Sequence, residues 1–121
     1  MIKNNPPEVR ERFRQFVLGD IAISSITAAE PYYGVAKSAA REKNTQALEA
    51  FLLPLVVLVF DLQAAVAYGK IRADLKSQGT PIGGMEMLIA AHAIACNLTL
   101  ITHNLREFKR VNSLRCETWI N

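Results

Sequence analysis

Val56-Val57-Leu58-Val59-Phe60-Asp61 is the stretch that decides the fold. Five consecutive apolar residues, three of them β-branched, read as a strand buried on both faces, as strands of a parallel sheet are. Asp61 is a good cap for the helix that follows, read over residues 62–77. Pro54 closes the helix before it, read over residues 42–53. A buried strand feeding directly into a helix is the repeating step of an α/β fold.

The same step recurs on both sides. Residues 21–24 form a short apolar strand, and a helix is expected over residues 27–40. Gly79-Thr80-Pro81-Ile82-Gly83-Gly84 reads as a loop, followed by an apolar helix over residues 86–96 and a strand over residues 98–102. A helical turn over residues 105–109 and a last strand near residues 116–119 complete the pattern. Pro6 and Pro7 suit the first turn of a helix ending near Val17, where Gly19-Asp20 breaks it. No repeat, low-complexity tract or linker divides the chain, so its 121 residues read as one domain, 1–121. In open parallel sheets the working groups lie beyond the C-terminal strand ends. Those positions follow Ser24, Phe60 and Ile101.

Composition narrows the function classes. Half the residues are hydrophobic and 21% are charged, which excludes a disordered chain. A net charge of +3 permits an RNA partner without requiring one. The apolar run of residues 51–60 is half the ~20 residues that a membrane helix needs, and Pro54 interrupts it, so no membrane association is expected. Met1-Ile2-Lys3-Asn4-Asn5-Pro6-Pro7 has no apolar core of a secretory signal. Cys96 and Cys116 form no metal or redox motif. They read as reduced thiols in a cytoplasmic protein.

The chemistry is marked by where charges are missing. Between Ile21 and Ala36 the only charged residue is Glu30, and between Ser77 and Leu105 it is Glu86. Each falls early in a helix. Thr102-His103-Asn104 lies where the third strand ends. Each has a plain structural reading. Thr27-Ala28-Ala29-Glu30 fits a capping box, Glu86 complements a helix dipole, and Thr102 and Asn104 are ordinary turn residues. Together, oxygen-bearing side chains at strand ends suit a hard cation such as Mg²⁺, which stabilises charge on a transferring phosphoryl group.

These residues resemble the PIN-domain family, and within it the VapC-type toxins of bacterial toxin–antitoxin pairs. The resemblance rests on Ile23-Ser24-Ser25-Ile26-Thr27-Ala28-Ala29-Glu30 with Tyr33-Gly34, then Gly69-Lys70-Ile71-Arg72 and Gly79-Thr80-Pro81-Ile82-Gly83. It continues through Leu88-Ile89-Ala90-Ala91-His92-Ala93, Thr102-His103-Asn104-Leu105-Arg106-Glu107-Phe108 and Val111. It implies a PIN-like three-layer α/β fold with a mostly parallel sheet. The implied activity is Mg²⁺-dependent endonucleolytic cleavage of structured RNA such as tRNA, with Mn²⁺ as a substitute cation. The implied partners are a cognate antitoxin and a second copy of the chain. Carried over residue by residue, Glu30, Glu86 and Asn104 are the metal-holding positions, and Thr102 joins them in the catalytic set.

Three departures bear on activity. The family's first acid belongs to an Asp-Thr-Asn motif ending its first, central strand. This chain opens on Met1-Ile2-Lys3-Asn4, which resembles the segment after that motif. The expectation is therefore an N-terminally truncated domain with its first strand missing and its activity impaired. Pro31 follows Glu30 inside an expected helix, where proline costs ~3 kcal/mol. Glu86 stands where the family has Asp, which moves the carboxylate out by about one C–C bond, ~1.5 Å. An alternative is a catalytically dead remnant that dimerises or binds an antitoxin. A weaker one is an unrelated α/β ligand-binding module.

Other residues carry weaker signals. His92 and Cys96 are spaced to share a metal, but no third ligand accompanies them. His103 neighbours the site and also suits an exposed turn. Tyr32 and Tyr33 can stack on a base or serve as packing residues. Arg10, Arg12, Arg14, Lys109 and Arg110 interleave with Glu8, Glu11 and Glu107, which reads as a solvated face.

Overall fold

The computed structural model describes residues 21–119. The helix expected over residues 6–17, the arginines on it and the opening segment lie outside the described residues. The chain divides into two compact units, Met1–Val59 and Phe60–Asn121. Each contains a short parallel pair of strands and the helices that connect them, so the α/β reading holds.

In the first unit, β1 (Ala22–Ser24) leads into α1 (Ser25–Ala36), then α2 (Arg41–Leu52) and β2 (Val56–Leu58). The strands pair in parallel, with Ala22 opposite Val56, Ile23 opposite Val57 and Ser24 opposite Leu58. Parallel neighbours require a crossover, which α1 and α2 supply. Ser24 ends the strand and caps the helix at once. Its backbone is extended at φ −70° and ψ 142°, and its hydroxyl accepts from the Ile26 N–H at 3.1 Å. This corrects the capping box expected at Thr27. The chain offers Ser24, Ser25 and Thr27 as caps, and the strand ends at the first of them. Thr27 and Glu30 therefore lie inside the helix, and so does Pro31.

Among the described residues of this unit, Ala28 and Leu48 are the buried apolar ones. β2 departs from the expected fully buried strand. Val56 and Val57 are each 42% exposed and Val59 is 73% exposed. Among the described residues β2 pairs with β1 alone, and a strand with one neighbour cannot be covered along both edges. Apolar content identified the strand without revealing how many neighbours it has.

The second unit runs through α3 (Leu62–Gln78), α4 (Gly84–Ala95), β3 (Leu100–Ile101), α5 (Leu105–Phe108) and β4 (Cys116–Glu117). Asp61 caps α3 as expected, its Oδ1 accepting from the Ala64 N–H at 3.0 Å. Gly79 ends α3 in the left-handed conformation at φ 69°, where glycine avoids the Cβ penalty. α4 begins at Gly84, two residues before the expected start, because Gly83 serves as its cap and accepts from the Met87 N–H at 2.9 Å. α3 packs along α4. Ile71 and Leu75 from α3 share a core with Ala90 and Ala91 from α4 and with Ile82, Phe108 and Val111. The small alanines opposite large aliphatics let two helices interlock at interior density. β3 and β4 pair in parallel, Leu100 opposite Cys116 and Ile101 opposite Glu117. They are shorter than expected, and the Thr102 N–H extends the ladder to the Glu117 carbonyl at 3.0 Å.

His92 is 3% exposed, and its ring meets the Phe60 ring edge-on at 5.4 Å. Cys96 is exposed at the end of the same helix. The packed-face reading therefore holds for His92 and not for Cys96. Among the described residues no helix is long and apolar enough to cross a membrane.

Candidate active site

Within the second unit, Glu86 lies against the loop before α4, and Thr102 and Asn104 are linked to that loop through Glu107. β3 ends at Ile101, so Thr102-His103-Asn104 starts beyond the C-terminal strand end. The Thr102 hydroxyl oxygen accepts from the Asn104 N–H at 3.0 Å. That bond folds the segment into a side-chain-closed turn. The Asn104 amide nitrogen then donates to Glu107 Oε2 at 2.7 Å. The other carboxylate oxygen of Glu107, Oε1, accepts from the backbone N–H of Gly83. Arg110 donates to the Pro81 carbonyl at 2.9 Å. Glu107 of the four-residue helix α5 and Arg110 just after it thus clip the 79–84 loop at two points.

Glu86 is half-buried in the first turn of α4. Its carboxylate lies against Gly83. A Cβ at Gly83 would stand 3.0 Å from Glu86 Cδ and 3.4 Å from Glu107 Oε1. Glycine is what allows the two carboxylates to meet at this loop. Among the described residues Glu86 has no hydrogen-bond or ion-pair partner. Glu107 is held below the usual carboxylate range. The Gly83 N–H contributes most, then the Asn104 amide; burial opposes them, and the Arg110 charge adds a smaller lowering effect. Glu107 thus spends both carboxylate oxygens on these bonds, while Glu86 has no such partner among the described residues.

Glu30 belongs to the first unit, exposed on α1 six residues after the Ser24 cap. Tyr32 and Tyr33 are exposed on the same helix, at 44% and 63%. His103 is exposed in the turn after β3. Among the described residues, no three His, Cys, Asp or Glu side chains form a metal-holding group. The donor chemistry still suits Mg²⁺, which takes oxygen ligands and is commonly bound by one or two carboxylates plus substrate phosphates.

Sequence reasoning placed Glu107 on a solvated face and missed it here. Its main partner, Gly83, is 24 residues away in the chain. The available local signal was the Asn104-x-x-Glu107 spacing, which is that of a helix-start pair.

Comparison with known proteins identifies the family. The PIN domain family matches residues 3–114. The chain is 46% identical to the tRNA(fMet)-specific endonuclease VapC of Salmonella typhimurium, over 98% of this chain and 89% of that protein. It is 44% identical to ribonuclease VapC2 of Haemophilus influenzae, over 99% of this chain and 90% of that protein. Its fold superposes on a crystal structure of DNA-bound VapBC from Salmonella typhimurium with a TM-score of 0.90, covering 98% of this chain and 89% of that one. The expected truncation is not borne out by these matches, and the opening segment on which it turned lies outside the described residues. A family match across nearly the whole chain, relatives at this identity and a shared fold lead to one conclusion: the chain belongs to the PIN-domain family, with the VapC ribonucleases as its relatives.

Proposed function

We propose that this chain is the ribonuclease of a toxin–antitoxin pair, a single domain over residues 1–121 that cuts structured RNA such as tRNA in a Mg²⁺-dependent reaction. The observation that carries the reading is 46% identity over 98% of the chain to a tRNA(fMet)-specific endonuclease. An antitoxin protein and a second copy of the chain are its proposed partners. The VapBC complexes among its structural neighbours support the first.

The roles follow from which lone pairs are engaged. Glu86, unpartnered among the described residues, is the group to hold a hard cation or to take the proton of the attacking water. Glu30, in the first unit, is the other carboxylate that the family resemblance assigns to metal holding. Asn104 spends its amide N–H on Glu107, which leaves Oδ1 as the acceptor for a metal or a water. The Thr102 oxygen accepts from Asn104, so its hydroxyl proton remains for a phosphate oxygen. As the water oxygen bonds to phosphorus, the P–O bond to the leaving ribose oxygen breaks and that oxygen regains a proton. Mg²⁺ or Mn²⁺, when bound, supplies stabilisation of the charge that builds on the phosphoryl group. Glu86 in place of the family's Asp, and Pro31 beside Glu30, place the rate below that of Asp-bearing relatives.

The test is incubation of the purified chain with tRNA, with Mg²⁺ and with excess EDTA. Cleavage with Mg²⁺ that EDTA abolishes is the expected result. Intact tRNA under both conditions, with stable binding of a co-expressed antitoxin, would support the dead-remnant reading instead.

A further inference from the structure

Helix α1 carries an outward ridge that the cleavage chemistry leaves unused beyond its first residue. At about 100° per residue, Glu30, Tyr33 and Lys37 fall within an arc of ~60°. Ala28, the buried residue of this helix, projects on the opposite side. Tyr33 is the most exposed aromatic among the described residues. The Lys37 ammonium stands 4.9 Å from the centroid of its ring, which is a cation–π contact. Among the described residues neither side chain has a hydrogen bond or ion pair. Beside the ring, a Cβ at Gly34 would meet nothing within 4 Å, so the ridge has open space next to it.

The mounting is rigid. The Ser38 hydroxyl donates to the Val35 carbonyl at 2.7 Å, and the Asn44 amide donates to that hydroxyl at 3.0 Å. These bonds lock the turn that presents Lys37. Arg41 and Lys43 follow, both exposed, with Glu42 as the one acid between them. An exposed aromatic with no packing duty, a fixed cation and a locally positive turn match one ligand chemistry well. Single-stranded RNA stacks its bases on aromatic faces and lays its phosphates against cations.

We infer that Tyr33 and Lys37 form a contact for single-stranded RNA, a base stacking on the open face of the Tyr33 ring while Lys37, on the other face, meets a phosphate. This rests on the ribonuclease reading and deepens it. Glu30 lies one turn earlier on the same ridge, so the stacked base belongs to the nucleotides flanking the cut.

The experiment uses the full chain in EDTA, with fluorescein-labelled tRNA and a single-stranded oligoribonucleotide carrying 2-aminopurine, whose fluorescence falls on stacking. Tyr33→Ala is expected to weaken binding about 5- to 150-fold and to remove the quenching, the range of one base–aromatic stack. Tyr33→Phe keeps both. Lys37→Gln lowers the slope of log affinity against log salt by ~0.7, one phosphate on a single strand. Unchanged binding and quenching in folded Tyr33→Ala overturn the inference. So does a Tyr33→Ala protein that loses its dimer or its antitoxin while still quenching the oligonucleotide, because the face is then a protein interface. A wild-type chain that binds neither RNA overturns the ribonuclease reading itself.

Discussion

Replacing Gly83 by alanine separates the chemistry at Glu86 from the stability of the fold. Gly83 sits at φ −59° and ψ 152°, a conformation open to any L-residue, so the backbone carries no strain. Alanine restricts the unfolded chain, a gain of about 0.4–1 kcal/mol. As the cap of α4 it is poorer than glycine by an amount of the same order, roughly 0.5–1 kcal/mol. The two nearly cancel, so stability is predicted to change by less than about 1 kcal/mol. The new Cβ, however, falls 3.0 Å from Glu86 Cδ and 3.4 Å from Glu107 Oε1, with a Glu86 carboxylate oxygen closer still. The flexible end of Glu86 yields more readily than the clipped loop. Its carboxylate then withdraws by on the order of 1 Å, and such a misplacement at a reacting group costs about 100-fold in rate. The assay is kcat/KM for tRNA cleavage, with urea denaturation of the same preparation. Full activity in Gly83→Ala refutes the placement of Glu86 at the reacting centre. Joint loss of activity and fold refutes the claim that the loop accommodates a methyl group there.

Two other outcomes follow from the structure. The Glu107 carboxyl titrates below the usual range in the folded chain, so its clip on Gly83 contributes stability above the ordinary carboxylate range and loses it as pH falls through the lower folded value. The Gly83 amide proton shift, followed by NMR from neutral pH into acid, is expected to hold through the ordinary Glu range and move only below it. In Glu107→Gln the acid step disappears. Pro31→Ala restores a helix hydrogen bond to the Thr27 carbonyl and removes a ring clash, worth ~3 kcal/mol, against ~1 kcal/mol of added unfolded-chain freedom. A net stabilisation of about 2 kcal/mol is expected in thermal melts, and a loss of stability contradicts it.

Elements marked by local chemistry were legible in the sequence. Asp61 and Gly79 bracket α3 as their cap chemistry requires, and the apolar runs at Val56 and Leu100 became strands. Where several residues satisfy one local rule, the rule cannot choose. Ser24, Ser25 and Thr27 all suit a helix cap, and only the strand end selects Ser24. Burial was less legible than element type, because Val56, Val57 and Val59 are apolar whether or not a neighbouring strand covers them. The site divides in the same way. Glu86 stood out because the residues around it are uncharged, and Asn104 because it follows the end of the third strand. Glu107 was hidden among Arg106, Lys109 and Arg110, and its role depends on a loop far away in sequence. Long-range hydrogen bonds leave no periodicity to read.

The account's central claim is that Glu86 lies at the reacting centre of a metal-dependent ribonuclease. Its most direct test is a Mg²⁺ titration of tRNA cleavage by the wild-type chain and by Glu86→Gln, with matched denaturation curves. The account predicts saturable Mg²⁺ activation in the wild type and a loss of about 100-fold or more at every Mg²⁺ concentration in the folded variant. Equal cleavage by the two proteins, with or without Mg²⁺, would contradict it.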